Sequence, residues 1–311
     1  ALNDSIIDLT VTDIIESSSI VLVSYLQSGT ITSVINGVLE VFTDELATNN
    51  SSYVSQVTQS VNFSTGWTIF STYVDVFEPL LDSVFAPVVS ELVLVKNSVG
   101  SIYWPLFNIN VIGSLTIGEG YYAKFNTPQS VDFVGLPVQP EATPLSIDQG
   151  WSIIAYLRTS SADATQMFSS IENDITIVKN TNGLVYWPTY GINGIGNLNP
   201  GEGYQIKLIN AVVFTYPANA TSNFAKSDFI SPDYYKQNIV TGSNMTIGFP
   251  NDCWDFNINS GDQIGAFDKE DQLIGSAVYN NKNLALTVWG KTNLDNEGIE
   301  LGDDIVLKYW S

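Results

Sequence analysis

The side chains available for chemistry in this chain are carboxylates, tyrosines and lysines. The 311 residues include no histidine and one cysteine, Cys253. Without histidine the chain lacks the commonest general base, the commonest zinc ligand and the base of a Ser-His-Asp triad. A single cysteine cannot form an intrachain disulfide, and its setting before Trp254 predicts a small buried side chain. Catalysis is therefore disfavoured, and the carboxylate-only chemistry of glycosidases is the form that remains.

A glycine-rich stretch is the first candidate for ligand binding. It has the sequence GINGIGNLNPGEGYQIKL and occupies residues 191–208. A phosphate loop needs a strand, a glycine turn and then a helix, whose N-terminus meets the anion. Here Gly-Glu-Gly is followed by YQIKL, which has the pattern of a strand. The context favours a structural turn and leaves a carbohydrate or protein contact and a phosphate site as alternatives.

Acidic residues crowd the loops of the last third of the chain. Carboxylate oxygens are hard ligands that suit calcium, although none of these loops matches an EF-hand. Calcium is the one cofactor that the sequence suggests, and the alternative is a solvated acidic face. The candidate ligands are Asp268, Glu270, Asp271, Asp303 and Asp304.

Charge and hydropathy argue against two classes of partner. The formal net charge is −21, with 32 acidic and 11 basic residues, and such a surface repels nucleic-acid phosphates and anionic membranes. No apolar run reaches the roughly 18 residues of a transmembrane helix. The first residues, ALNDSIIDLTV, lack the basic n-region of a signal peptide, which favours assembly inside a cell. We therefore expect neither nucleic-acid binding nor membrane insertion.

The elements that must position these residues belong to a duplication. Residues 103–125 and 186–208 are identical at 13 of 23 positions, at a constant offset of 83. The match continues upstream through Val-Lys-Asn to a Gly-Trp pair, at Trp67 and Trp151, where the offset is 84. Each unit predicts a strand, a short helix, two strands around a turn, the Gly-Glu-Gly turn and a further strand. Both copies retain Gly-Glu-Gly, whereas the first keeps only one of the three crowded glycines, Gly113, which again favours a turn.

Apolar residues at helical spacing mark the short helix of each unit. In the second unit the N-cap is expected at Ser160 or Ser161. The apolar positions are Leu81, Val84, Phe85 and Val88 in the first unit, and Ala164, Met167, Phe168 and Ile171 in the second.

Recurring aromatic residues are candidate contacts for a sugar or a partner protein, although packing under a sheet would also retain them. They are Trp104, Trp187, Tyr121 and Tyr204. Two lysines recur as well, Lys96 and Lys179. In so acidic a chain each is expected to pair with a carboxylate, Glu119 or Glu202.

The predicted fold class is mainly β with short helices, arranged as tandem small β-rich domains and a C-terminal antiparallel β-sandwich-like module. The predicted parts are an attachment or oligomerisation segment (1–60), repeat module 1 (61–138), a linker (139–149), repeat module 2 (150–220) and the C-terminal module (221–311). In the first part, a strand-like stretch at 19–26 precedes apolar residues at helical spacing between Ile31 and Phe42. The C-terminal strands are predicted at Ile264–Phe267, Leu273–Tyr279, Leu284–Trp289 and Ile305–Trp310.

The pattern GWSIIAYLR…ITIVKNTNGLVYWPTYGINGIGNLNPGEGYQIKL…FTYPAN resembles tandem modules of large secreted surface proteins of Bacteroidetes and of virion proteins of some marine phages. The end, GDQIGAFDKEDQLIGSAV…LTVWG…LGDDIVLKYW, is similar to a β-module of the same proteins. Gly290-Lys291-Thr292 stands where that module usually has acidic residues, which weakens a cation site there. The resemblance covers about residues 66–311 and implies surface display or fibre building, with no catalytic residues to transfer.

These observations favour a non-enzymatic structural protein of a virion fibre or appendage, or of an extracellular surface filament. Its modules would be spacers and contact surfaces, located on a virion or a cell surface, and its partners further copies or other filament proteins. The alternative is a carbohydrate-binding or adhesin segment of a secreted bacterial surface protein, with a glycan or a cell-surface receptor as partner. A glycosidase would need two acids across a cleft, whereas the acids here cluster in the loops of one module.

Overall fold

The computed structural model describes residues 30–35, 38–43, 56–218, 227–237 and 239–311. The chain forms two compact units, Ala1–Tyr53 and Val54–Ser311. In the first unit, β1 (Thr30–Ile35) and β2 (Val38–Thr43) pair antiparallel. The helical interpretation of Ile31 to Phe42 is therefore wrong. Five of the six residues of β1 are β-branched, and such residues lose side-chain freedom in a helix but fit a pleated sheet. The stretch 19–26 lies outside the described residues.

The first repeat module is built from two antiparallel sheets. Its strands are β3 (Val57–Phe63), β4 (Gly66–Phe70), β5 (Val74–Val76), β6 (Leu92–Lys96), β7 (Ile102–Trp104), β8 (Ile109–Asn110), β9 (Tyr121–Phe125) and β10 (Gln129–Pro137). The larger sheet has the order β4-β9-β6-β7-β8, and the smaller one the order β3-β10-β5.

The second repeat module repeats this plan, so the duplication in the sequence is also one in structure. Its strands are β11 (Leu145–Ile147), β12 (Gly150–Ala155), β13 (Ala162–Asp163), β14 (Ile175–Lys179), β15 (Val185–Trp187), β16 (Ile192–Asn193), β17 (Asn197–Leu198), β18 (Gly203–Leu208) and β19 (Val212–Phe214). The five-stranded sheet has the equivalent order β12-β18-β14-β15-β16. Strands β11 and β19 pair with each other, as do β13 and β17.

The boundaries of the modules differ from those predicted. Residues 139–149 are not a plain linker, because β11 lies within them and pairs with β19. Likewise β3 begins at Val57, inside the range predicted as the N-terminal segment, and pairs with β10. Proline and polar residues suggested a linker, yet the alternating Leu145 and Ile147 are buried in the second core.

The predicted helices exist but are one turn long. Helix α1 covers Leu81–Val84 and α2 covers Ala164–Met167. The N-cap of α2 is Asp163, which accepts a hydrogen bond from the Thr165 amide, so the prediction of Ser160 or Ser161 is wrong. The spacing did identify buried residues that close the inner face of each sheet: Leu81, Phe85, Val88, Ala164, Met167, Phe168 and Ile171.

The C-terminal module has two antiparallel sheets around a small core of Ile, Leu, Val and Ala side chains. Its strands are β20 (Ser243–Phe249), β21 (Gln263–Phe267), β22 (Leu273–Val278), β23 (Leu284–Gly290) and β24 (Val306–Trp310). The sheets are β20-β23 and β22-β21-β24. The strand predictions are confirmed to within a residue at each end, and the mainly β, multi-module fold class is confirmed. Cys253 is exposed in a turn after β20, so its predicted burial is wrong.

Candidate functional site

The two Gly-Glu-Gly turns join the repeat modules to each other. The turn of the first module lies against β12, where the Gly120 amide donates to the Ile153 carbonyl at 3.0 Å. The turn of the second module lies against β4, where the Ser71 amide donates to the Gly201 carbonyl at 2.9 Å. Gly118 and Gly201 have positive φ, as the turns require. The glycine-rich stretch is a turn that also makes a contact between modules, and its backbone groups are engaged by the neighbouring strand.

Tyr121 and Tyr204 lie inside the module cores, so the prediction that they contact a partner is wrong. Each hydroxyl donates to the glutamate of its own turn, Tyr121 to Glu119 at 3.0 Å and Tyr204 to Glu202. Burial, reinforced by Glu119, raises the pKa of Tyr121 to about 12. Burial and Glu202 likewise raise the pKa of Tyr204. Both tyrosines are therefore neutral anchors that fix the Gly-Glu-Gly turns to the core.

Lys96 and Lys179 do not pair with these glutamates, so that prediction is also wrong. Each ends a strand on the face opposite to the module core, because side chains alternate along a strand. The Lys96 ammonium donates to the Gly242 carbonyl at 3.2 Å, and that of Lys179 donates to the Asn244 side-chain oxygen at 2.8 Å. The start of β20 thus crosses the outer faces of both repeat modules.

Two lysines and a tryptophan form a cluster on the outer face of each five-stranded sheet. The first cluster is Trp67, Lys96 and Lys124, and the second cluster is the equivalent set Trp151, Lys179 and Lys207. The ammonium groups of Lys96 and Lys124 lie 4.6 and 5.5 Å from the Trp67 ring centroid. In the second cluster the corresponding distances to Trp151 are 5.6 and 5.8 Å. These are cation–π distances.

Asp295, in the loop between β23 and β24, occupies the first cluster. Its carboxylate accepts hydrogen bonds from the Trp67 indole at 3.0 Å, the Lys124 ammonium at 2.8 Å and the Gly242 amide at 3.0 Å. The Thr292 hydroxyl donates to it as well. Burial alone would raise the pKa of Asp295, but the hydrogen bonds from Lys124, Thr292 and Gly242 together hold that pKa below its ordinary value.

No carboxylate of the described residues occupies the second cluster. Neither Lys179 nor Lys207 forms an ion pair within that part of the chain. Trp151 is 46% exposed, whereas Trp67 is 3% exposed. A pocket of about 210 Å³ lies at the junction of the three modules. It is lined by Tyr122, Trp151, Lys179, Gln205, Gly242, Ser243 and Asn244.

The two clusters also differ in their electrostatics. Burial lowers the pKa of Lys179 to about 8, and the charge of Lys207 adds to this effect. Burial lowers the pKa of Lys96 too, but there the charge of Asp295 acts in the opposite direction. Keeping Lys179 charged in the folded protein therefore costs free energy, and an anion in the pocket would reduce this cost.

Trp104 and Trp187 are both half-buried beside the C-terminal module. Trp187 and Ala285 of β23 pack against the same buried cluster, and a Cβ atom on Gly248 of β20 would lie 3.2 Å from the Trp187 ring. Trp104 and Leu294 pack against the same buried cluster, and Trp104 meets Phe107 edge to face, with 4.6 Å between the ring centroids. Trp187 is thus partly covered from within the chain, and an external contact by either residue stays a prediction.

The calcium candidates lie at separate positions within the C-terminal module, and most of them are engaged by other groups there. Asp268 accepts the amides of Glu270 and Gln272 and so caps the turn between β21 and β22. Asp271 and Asp303 pair with lysines, and Asp304 is exposed. Across the described ranges no group of three or more acidic or cysteine residues gathers as metal ligands. The structure does not bring the five candidates together, and calcium binding stays a prediction.

Apolar side chains lie exposed at one edge of the first module. We call this surface the open edge: Leu106, Phe107, Ile109 and Val111, at and beside β8. Leu106 is 81% exposed and Val111 67%. In the second module residues 227–228 cover the equivalent edge, where the Asp228 amide donates to the Asn193 carbonyl at 2.8 Å.

Sequence reasoning missed the role of Asp295 and the difference between the two clusters. The clusters themselves could have been predicted, because one tryptophan and two lysines recur at equivalent positions of the two units. Nothing local indicated that a loop 170 residues away would place a carboxylate on Lys124. The open edge was also missed. The two modules differ there only because residues 227–228 cover the second one, and these residues lie outside the repeated sequence.

Comparison with protein-family models, with curated proteins and with solved structures gave no match for this chain. In the part of the chain that the structure describes, no helix is long and apolar enough to span a membrane.

Proposed function

We propose that the protein is a non-enzymatic structural element of a virion fibre or appendage, or of an extracellular surface filament. The resemblance of its tandem modules to those of surface and virion proteins supports this. So does the way in which residues 54–311 form one compact unit, because a spacer must keep its modules in fixed relation. Further copies of the chain or other filament proteins are its proposed partners.

The observation that carries the proposal is the open edge. Exposed strands and apolar patches are surfaces on which further chains pack. The same position in the second module is covered by residues 227–228, which form a hydrogen bond to β16. Among the described residues, the edge of the second module is therefore covered and the equivalent edge of the first module is not.

Sedimentation of the full chain tests this proposal. We expect concentration-dependent association that is lost in the double variant Leu106→Ser, Val111→Ser. Val213 is 70% exposed on β19, away from the open edge, so Val213→Ser is the matched control and should associate normally. A chain that stays monomeric at all concentrations, with unaltered variants, would count against assembly through this edge.

Location supplies the second test. Labelling the protein in electron micrographs of particles and of cell surfaces should place it on a fibre, an appendage or a surface filament. Particles, appendages and cell surfaces that all remain unlabelled would contradict the proposal.

A carbohydrate-binding or adhesin function is the second candidate, favoured by the aromatic pair of Trp104 and Phe107, of which Phe107 lies on the open edge. Aromatic rings of this kind stack on sugar rings as well as on protein side chains. A glycan array with the full chain and with Trp104→Ala decides this point. Binding that is lost in the variant would support the function, and silence across a broad array would exclude it.

A further inference from the structure

We propose that the second cluster binds a carboxylate presented by an acidic loop of a partner protein, in the manner in which the first cluster binds Asp295. The site is the pocket of about 210 Å³ beside Trp151. It is separate from the open edge, and the proposal stands whether or not the chain assembles through that edge.

The internal comparison carries the argument. Trp67, Lys96 and Lys124 have their equivalents in Trp151, Lys179 and Lys207, on the same strands of equivalent sheets. In the first cluster the indole, one ammonium and a backbone amide all donate to Asp295. Within this chain, therefore, a tryptophan and two lysines arranged in this way surround a carboxylate.

The second cluster keeps its donors available. Among the described residues, the indole of Trp151 and the ammonium of Lys207 donate to no acceptor, and Lys179 donates only to Asn244. The side chains of Gln205 and Ser243, which also line the pocket, likewise have no partner within that part of the chain. Indole, ammonium and hydroxyl groups are donors, and a carboxylate accepts several of them at once.

The charge distribution favours an anion at this place despite the net charge of −21. Among the described residues, the charge that acts on Lys179 is that of Lys207, and it has the same sign. Exposed charges more than about 8 Å away are screened at physiological ionic strength. Asp295 lies near the pocket through Gly242, but its carboxylate is already engaged by Trp67, Lys124 and Gly242, whereas Lys179 and Lys207 have no carboxylate partner among the described residues.

The manner in which Asp295 is bound points to a protein loop as the source of the carboxylate. Asp295 is presented by a loop whose Leu294 packs against the apolar outer face beside Trp67. Asp295 of another copy is itself buried, with a side chain 7% exposed, so that residue is not available as the ligand.

The test is binding of a peptide that copies residues 292–297, TNLDNE, with blocked ends, to the full chain in low-salt buffer. NMR detects it through the indole resonance of Trp151, assigned with Trp151→Phe. We expect this resonance to shift with the peptide and not with a peptide that has Asn in place of Asp. Lys207→Gln should weaken binding about tenfold or more, since a charge-assisted hydrogen bond is lost.

Two further variants keep the proposal open to refutation. Gln205→Glu places a carboxylate inside the pocket and should block the peptide. Lys269→Gln removes an exposed lysine of the C-terminal module and should bind as the parent does. Equal binding of the Asn peptide, no shift at Trp151, or unchanged affinity in Lys207→Gln would each overturn the site. Binding of an oligogalacturonate without binding of the peptide would overturn the protein partner.

Discussion

The backbone oxygen of Phe70 lies so near Gly203 that a Cβ atom on residue 203 would be 2.7 Å away from it. The reciprocal contact has the same geometry, since a Cβ atom on Gly120 would lie 2.8 Å from the backbone oxygen of Ile154. The second glycine of each Gly-Glu-Gly turn is therefore required by close approach between the two repeat modules. These glycines hold the modules together and have no need of a ligand.

Gly203→Ala should destabilise the protein because the backbone of β4 would have to move. Overpacking of this kind costs about 1 to 3 kcal/mol. Gly120→Ala should have a similar effect, and urea unfolding of each variant measures it.

The matched control is Gly191→Asn. Gly191 has φ of 64°, and Asn108 occupies the equivalent position of the first module with φ of 55°. Open space surrounds a Cβ atom at position 191, so this variant should stay close to the parent in stability. A Gly203→Ala variant as stable as Gly191→Asn would contradict the role assigned to the close approach.

Asp295→Asn should destabilise the folded chain by about 2 to 4 kcal/mol at neutral pH, because Lys124 would stay partly buried beside a neutral amide. The pKa of Asp295 is lowered by folding, so its contribution is present above the unfolded value near 3.9 and is lost as pH falls through the folded value. Urea unfolding midpoints between neutral pH and pH about 3 measure the difference from the parent. It should be constant above about pH 5 and shrink as the pH falls towards 3. A difference that stays the same from neutral pH to about pH 3 would contradict the ion-pair explanation.

Local patterns in the sequence predicted much of the fold and less of the site. Alternation and turn residues placed β21 to β24, and the repeat placed the strand after Gly-Glu-Gly, because these features depend on neighbours in the chain. The helical spacing from Leu81 to Val88 identified the buried side but not the length of α1. Contacts between modules have no local signature, which is why the carboxylate on Lys124 and the cover over β16 were missed. The prediction for Tyr121 and Tyr204 was wrong because a repeat retains a buried anchor and a surface contact residue equally well, so recurrence does not distinguish the two roles.

Lys179→Met should remove a dependence of stability on alkaline pH. Folding lowers the pKa of Lys179 from about 10.5 to about 8, so the unfolded chain binds more protons between these values. The parent should therefore gain stability relative to Lys179→Met as pH rises through this window, by up to about 3 kcal/mol. The shared tyrosines titrate in both proteins, and their effect cancels in the difference.

Lys282→Met controls for the loss of one lysine, since Lys282 is exposed and pairs with Asp228 elsewhere on the surface. The readout is the unfolding midpoint in urea at neutral and alkaline pH. Parallel curves for the parent and Lys179→Met would show that burial does not shift this pKa.

Trp67→Phe and Trp151→Phe should differ in stability although the two tryptophans are equivalent in the repeat. Trp67 is buried against Gly242 and donates its indole hydrogen to Asp295, so phenylalanine there leaves a gap and a carboxylate with one donor fewer. We expect a loss of about 2 to 3 kcal/mol for Trp67→Phe. Trp151 is half exposed and has no described hydrogen-bond partner, so Trp151→Phe should change stability by less than about 1 kcal/mol. Thermal unfolding of the two variants makes the comparison, and equal losses would show that Asp295 does not distinguish the two clusters.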